Sequence, residues 1–245
     1  MARFFVAASN IFGGVAYISG RDAEHMRVLR LREGEIVVVC DGKGTDYKCR
    51  VSKAGGADME AEIIGSEPSA GEPTVSCRVY AAFPKGDKAE TIVQKCVELG
   101  ASAVVFFPSE RCVSKPSAAA LIKKTERWRL IAEEAAKQSG RGVIPEVSAA
   151  ASFEAAISEA ARAELCMFFY EGGGDISIKD ALAVKCADIK TVSVITGPEG
   201  GFEPCEVEAA REAGALVTSM GSRILRCETA PLCALTSVML MTGNL

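Results

Sequence analysis

Histidine is nearly missing: the 245 residues hold one, His25. A histidine-based nucleophile triad is thereby disfavoured. Ten cysteines stand at positions 40, 49, 77, 96, 112, 166, 186, 205, 227 and 233, and no two are spaced Cys-x-x-Cys. Zinc asks for such pairs or for cysteine with histidine, so no metal is expected. A disulfide scaffold does not suit this length, and the expectation is free, buried thiols in a reducing cytoplasm. No uninterrupted apolar run nears the ~18 residues of a membrane span, so no membrane partner is expected. An excess of positive charge is also lacking: 28 Lys/Arg stand against 32 Asp/Glu, a net charge of −4. That excludes a globally basic nucleic-acid binder and leaves room for a local basic face. Neither a P-loop nor the dinucleotide fingerprint G-x-G-x-x-G is present, and there is no internal repeat or low-complexity tract. Residues 1–20 begin with Arg3 and an apolar stretch, but Asn10, Gly13 and Gly14 interrupt it and no small-x-small cleavage site follows. They read as a folded strand and loop, not a signal peptide.

What is there is ordinary globular composition, 49% hydrophobic and 24% charged, in a length that fits one large domain or two small ones. Two prolines and a glycine mark a boundary at 66–73. Before it, strands at 36–40, 47–53 and 59–64 with the turn Asp41-Gly42-Lys43-Gly44 and a short helix at 22–29 predict a small β-barrel. After it, strands at 75–83, 103–107, 165–170, 191–196 and 216–219 alternate with helices at 88–99, 118–139, 153–163, 204–213 and 229–241. That alternation predicts an α/β layer with a mostly parallel sheet. Two domains follow, 1–70 and 74–245.

Charge is uneven. Residues 109–141 carry 8 Lys/Arg against 4 Asp/Glu, and residues 154–245 carry 7 against 13. The basic stretch is either a solvated helix face or a phosphate-contacting one. Chemistry concentrates in two C-terminal segments. In the first, a buried strand at 191–196 runs into Gly197-Pro198-Glu199-Gly200-Gly201-Phe202 and then a helix opened by Pro204. The glycines either make a tight connection or let main chain approach a flat ligand recognised by base and ribose, since no lysine follows to meet a phosphate. In the second, Gly221-Ser222-Arg223-Ile224-Leu225-Arg226-Cys227-Glu228-Thr229-Ala230 precedes a terminal apolar helix that Thr229 is placed to cap. Arg226 and Glu228 either pair with each other or face a substrate.

Together these segments resemble the paired C-terminal motifs of the ribosomal RNA small-subunit uridine-N3 methyltransferases, members of the SPOUT superfamily. His25-Met26-Arg27-Val28-Leu29-Arg30 resembles the family's N-terminal helix. Glu98-Leu99-Gly100, Ser109-Glu110-Arg111 and the stretch from Glu133 to Arg141 resemble its middle, so the likeness runs nearly end to end. Cys227 stands where the family usually has Thr, and Met220 where Leu is usual. The resemblance implies a PUA-like barrel followed by an α/β domain with a C-terminal trefoil knot, S-adenosylmethionine as methyl donor, and a homodimer whose sites are completed at the interface. It implies a donor pocket lined by Tyr170, Thr196, Gly197, Gly201, Met220, Gly221, Ile224, Leu225 and Thr229. The implied partner is 16S ribosomal RNA in an assembled small subunit, methylated at a decoding-region uridine.

Methyl transfer from a sulfonium is an in-line displacement in which the protein aligns the reactants. Uridine N3 bears a proton, so a base and a cation near O2 or O4 would help. Glu199 and Glu228 are the candidate bases and Arg226 the candidate anion stabiliser. Arg3, Arg21, Arg27, Arg30 and Arg32 near the N-terminus, with Lys85, Arg111, Lys115, Arg127, Arg129 and Arg141, are candidate RNA contacts; His25 is expected to be a surface or packing residue. Rival readings are a SPOUT ribose 2′-O-methyltransferase and, from another class, a non-catalytic RNA-binding assembly factor. A nicotinamide dehydrogenase is disfavoured by the missing fingerprint.

Overall fold

The structure is a computed structural model and describes residues 1–54, 58–185 and 188–245. It divides into two compact units, Met1–Glu72 with Ala136–Ile144, and Pro73–Ala135 with Pro145–Leu245.

The first unit is built from β1 (Arg3–Phe5), β2 (Ile11–Phe12), β3 (Val15–Ile18), α1 (Gly20–Val28), β4 (Ile36–Cys40), β5 (Thr45–Lys53) and β6 (Met59–Pro68). They form one six-stranded sheet in the order β1-β4-β5-β6-β3-β2. The end strands do not pair with each other, so the expected barrel is a half-barrel. Two register shifts between β5 and β6 bend the sheet around its core. Alternation supplies that core: Val37, Val39, Cys49, Val51, Met59 and Ala61 turn inward, and α1 adds Ala23 and Met26. β6 runs through Pro68, so the chain leaves the sheet later than the two prolines suggested.

Ion pairs finish this unit. Arg3 grips Asp46 with two bonds of 2.7 and 2.6 Å and also touches Cys40 Sγ and the Arg141 carbonyl. Ser69 donates to the same Asp46. Arg141 meets Glu72 at 2.8 Å, and Glu72 accepts the Gly142 and Val143 amides as well. Lys137 meets Asp22 at 2.7 Å.

The second unit contains β7 (Ser76–Ala82), α2 (Lys88–Glu98), β8 (Ala103–Phe107), α3 (Ala118–Ser139, its last turn grouped with the first unit), β9 (Glu146–Ala149), α4 (Phe153–Ala160), β10 (Leu165–Phe169), β11 (Ile176–Ser177), α5 (Ile178–Lys185), β12 (Thr191–Thr196), α6 (Pro204–Glu212), β13 (Leu216–Ser219) and α7 (Thr229–Met241). All seven strands are parallel, in the order β11-β13-β10-β12-β7-β8-β9. Every residue of β8 and of β10 is buried, as a strand covered on both faces requires. α2 buries Ala89, Ile92, Val93, Cys96 and Val97, one stripe at helical spacing. α7 packs on β12, β7, α2 and α5.

The free cysteines among the described residues are buried except Cys205 and Cys233, which lie on the exposed sides of α6 and α7 and correct the expectation of uniformly buried thiols. Cys186 lies outside the described residues.

Candidate active site

Three loops leave the carboxyl ends of β10, β12 and β13, where ligands sit in open parallel sheets. With Lys88 from the start of α2 they wall a cavity of about 380 Å³. Its walls are Phe169, Tyr170 and Glu171 around the end of β10, Thr196 to Glu199 with Gly201 around the end of β12, and Thr218 to Cys227 around the end of β13, with Ala230 beyond.

The glycine turn is fixed from both ends. Phe202 has no exposed surface, and its ring lies 4.2 Å from that of Phe168, so the turn is pinned to the core. Gly201 has φ +69°, and a Cβ there would run into the Glu171 carboxylate. The positive φ favours glycine, and a larger residue would also displace the Glu171 carboxylate. Glu171 Oε1 accepts the Phe202 amide at 3.2 Å. Downstream, Pro204 opens α6 and the buried Glu206 accepts the Glu203 amide (2.9 Å), the Ser109 hydroxyl (3.2 Å) and the Glu110 amide (3.1 Å). Arg111 forks onto Glu203 at 2.7 and 3.0 Å and reaches the Gly200 carbonyl.

Charge gathers where the walls meet α2. Lys88 Nζ lies 3.0 Å from Glu199 Oε1, 3.1 Å from Glu228 Oε2 and 3.5 Å from Cys227 Sγ. Burial opposes ionisation of Glu199, but bonds from the Lys85 amide and from Lys88 outweigh it and hold its carboxyl down at about 2. Glu228 is also held below the usual carboxylate range: burial opposes this, and its own amide and Lys88 overcome it. Hydrogen bonds to Glu199 and Glu228 raise the Lys88 ammonium. Burial, then the Glu228 bond, push the Cys227 thiol up to about 12, so it is no thiolate at neutral pH.

Tyr170, Thr196, Gly197, Gly201, Met220, Gly221, Ile224 and Leu225 all line this cavity. Thr229 does not, and it does not cap the last helix: it is the first helical residue, and Glu228 occupies the cap position. Glu199 and Arg226 are on the wall. Arg226 and Glu228 do not pair: Glu228 is taken by Lys88, and among the described residues Arg226 has no ion-pair partner. Sequence reasoning missed Lys88 and Glu171. A signal for Lys88 existed, because a lysine as first helical residue opposes the helix dipole and needs a local reason.

The basic residues divide. Arg3 is held inward by Asp46, and Arg141 is 3% exposed and bound by Glu72. Neither guanidinium is available to a phosphate, which corrects both as RNA contacts. Arg21, Arg27, Arg30 and Arg32 are exposed on the first unit; Lys85, Arg111 and Lys115 are at least partly exposed on the second. Arg127 pairs with Glu90 at 2.8 Å, and Arg129 reaches the Val147 carbonyl. His25 packs edge-on against Phe4, with ring centroids 5.8 Å apart.

Residues 71–239 match the family model described as an RNA methyltransferase domain, and residues 18–64 match the RNA methyltransferase PUA domain. Fold and cavity thus belong to the class of RNA methyltransferases that carry a PUA domain. The chain is 34% identical to the ribosomal RNA small subunit methyltransferase E of Bacillus subtilis, over 92% of this chain and 90% of that one. It is 30% identical to the enzyme of the same name from Mycobacterium bovis, over 98% and 92%. The crystal structure of a ribosomal RNA small subunit methyltransferase E from Neisseria gonorrhoeae, bound to S-adenosyl methionine, superposes with a TM-score of 0.86 at 28% identity, covering 98% of this chain and 97% of that one. The chain belongs to the ribosomal RNA small subunit methyltransferase E family.

Proposed function

We propose that this protein transfers a methyl group from S-adenosylmethionine to N3 of a decoding-region uridine in 16S RNA, in the assembled small ribosomal subunit. One observation carries the reading: three loops at the carboxyl ends of β10, β12 and β13 converge on a single cavity, with a glycine-rich turn on one wall. The residues fit the donor. Main chain at Thr196, Gly197 and Gly201 lines the cavity beside the place of a base and ribose. Phe169, Ile224 and Leu225 supply apolar surface, and Glu171 supplies a carboxylate. About 380 Å³ is within the range of small-molecule sites.

The bound donor supplies an electrophilic methyl on a sulfonium. The protein's share is to hold the acceptor ring in line and to stabilise N3 as its proton leaves. Arg226, on the wall and free of an ion-pair partner among the described residues, is the cation for O2 or O4. Glu199 and Glu228 are the candidate proton acceptors. Both are held below the usual carboxylate range, so most of the activation falls to Arg226. RNA is met on the first unit by Arg21, Arg27, Arg30 and Arg32. Arg30 has φ +56° just after α1, where the Leu31 amide bonds back to the Met26 carbonyl and ends the helix. Lys85 and Arg111 are the contacts assigned to the second unit.

The finer architecture belongs to the same reading. The stretch after β13 is proposed to thread as a trefoil knot, a reading supported by the order of β13 beyond β10 and by the return of α7 onto β12 and β7. A second copy completes the site as a homodimer, covering Ile224, 84% exposed beside the cavity, and the exposed Leu240 and Met241 of α7. The free thiols suit a reducing cytoplasm. Nucleoside mass spectrometry of small-subunit RNA from cells with and without the gene tests the reaction. The expected result is loss of one N3-methyluridine in the deleted strain and its return on complementation. A lost ribose methylation, or no change, overturns the reading.

A further inference from the structure

Lys88 has no part in the chemistry above, yet its ammonium meets three side chains, those of Glu199, Glu228 and Cys227. It stands first in α2, where the exposed amide N–H groups repel a cation. Two carboxylates from two other elements compensate. Glu199, from the turn after β12, lies 3.0 Å from Nζ, and Glu228, the cap of α7, lies 3.1 Å away. The Glu199 carboxylate is also anchored by the Lys85 amide at 3.0 Å. Nζ therefore ties α2, the glycine turn and the head of α7 together. Without it, two carboxylates would face each other across a space sized for a single nitrogen, and like charges that close cannot both ionise freely.

We propose that Lys88 is a positioning residue of the methyl transfer: its ammonium, shared by Glu199 and Glu228, locks the glycine turn to the head of the last helix and sets the gap that receives the donor. The proposal rests on reading the cavity as the methyl-donor site. Apart from Glu199 and Glu228, the group facing Nζ is the Cys227 thiol. The other charged wall groups are Glu171, Arg223 and Arg226. Lys85 and Asp87 flank Lys88 on its own turn, and Cys112 lies near Glu199.

The test is the affinity for S-adenosylhomocysteine by calorimetry from pH 5 to 8, in wild type, Lys88→Met, Lys88→Arg and the double variant Lys88→Met with Glu199→Gln. Wild type binds with one affinity throughout, because both carboxylates stay ionised and paired. Lys88→Met binds about tenfold or more weaker at pH 8 and recovers as pH falls, because a shared proton replaces the lost ammonium. Lys88→Arg and the double variant restore a flat profile, the first by returning a cation and the second by removing one charge. A flat profile for Lys88→Met, whether at wild-type affinity or uniformly weakened, overturns the proposal, since mere packing would give no pH dependence. Melting midpoints of the four proteins without ligand follow the same pattern. Wild type that bound no S-adenosylhomocysteine would defeat the donor reading, and the melts would still decide the role of Lys88.

Discussion

The two units use charge in opposite ways. In the first, Arg3–Asp46, Arg141–Glu72 and Lys137–Asp22 are drawn inside, with side-chain exposures of 13%/11%, 4%/23% and 8%/12%. In the second, Lys88 and Glu199 keep 31% and 28% exposure on a cavity wall, Glu228, bound to Lys88, keeps 23%, and Arg226 faces the same cavity. Inward pairs cost desolvation and hold a small unit in one arrangement; removing one partner strands the other. Wall charges remain able to meet a ligand. The number of arginines in a segment therefore says little about RNA, and the position of each guanidinium says much.

The comparison breaks first at Arg3. Arg3→Ala leaves Asp46 buried without its cation and should destabilise the protein by about 3–5 kcal/mol in denaturant melts, with no change in the salt dependence of RNA binding. A stable variant with a smaller salt slope would make Arg3 a phosphate contact after all.

Arg226→Ala is the converse. Its stability should stay within about 0.5 kcal/mol of wild type, while turnover on small subunits should fall about a hundredfold, as for a lost anion-stabilising donor. Unchanged turnover would remove Arg226 from the reaction.

Acid sharpens the contrast. Burial opposes ionisation of Asp46 and Glu72, but bonds from Arg3 and Arg141 lower both. Their contribution is thus complete above the unfolded values, about 4, and is lost as pH falls through the folded ones. Melting midpoints between pH 7 and 3 should fall more steeply for wild type than for Glu72→Gln; parallel curves would contradict this. The smallest effect belongs to the exposed face: Arg30→Ala should lower the slope of log affinity against log salt by about one, and an unchanged slope would take Arg30 off the RNA.

Legibility in the sequence followed burial. The strands 36–40, 103–107, 191–196 and 216–219 and the helices 118–139 and 229–241 have in the structure the ends their residue patterns announced, because an apolar run or an apolar periodicity bounded by turn residues carries its own signature. β9, β11 and α5 did not show. β11 is two residues long, and β9 buries only Val147. The half-barrel's uptake of Ala136–Ile144 was equally hidden, since its tie is Glu72 to Arg141, 69 residues apart. At the site, the glycine turn and the segment from Met220 to Leu225 were legible through the family motifs. Lys88 was not, because its partner Glu199 is 111 residues away. Arg3 and Arg141 were misread for the same reason: composition shows a charge and not the carboxylate that neutralises it.

On this reading the three loops after β10, β12 and β13 hold the methyl donor. A crystal structure of the protein with S-adenosylhomocysteine tests it most directly. The adenosine should lie between the main chain of Gly197–Gly201 and the side chains of Ile224 and Leu225, with Tyr170 alongside. Density for the ligand elsewhere, with this cavity filled by its own side chains, would contradict it.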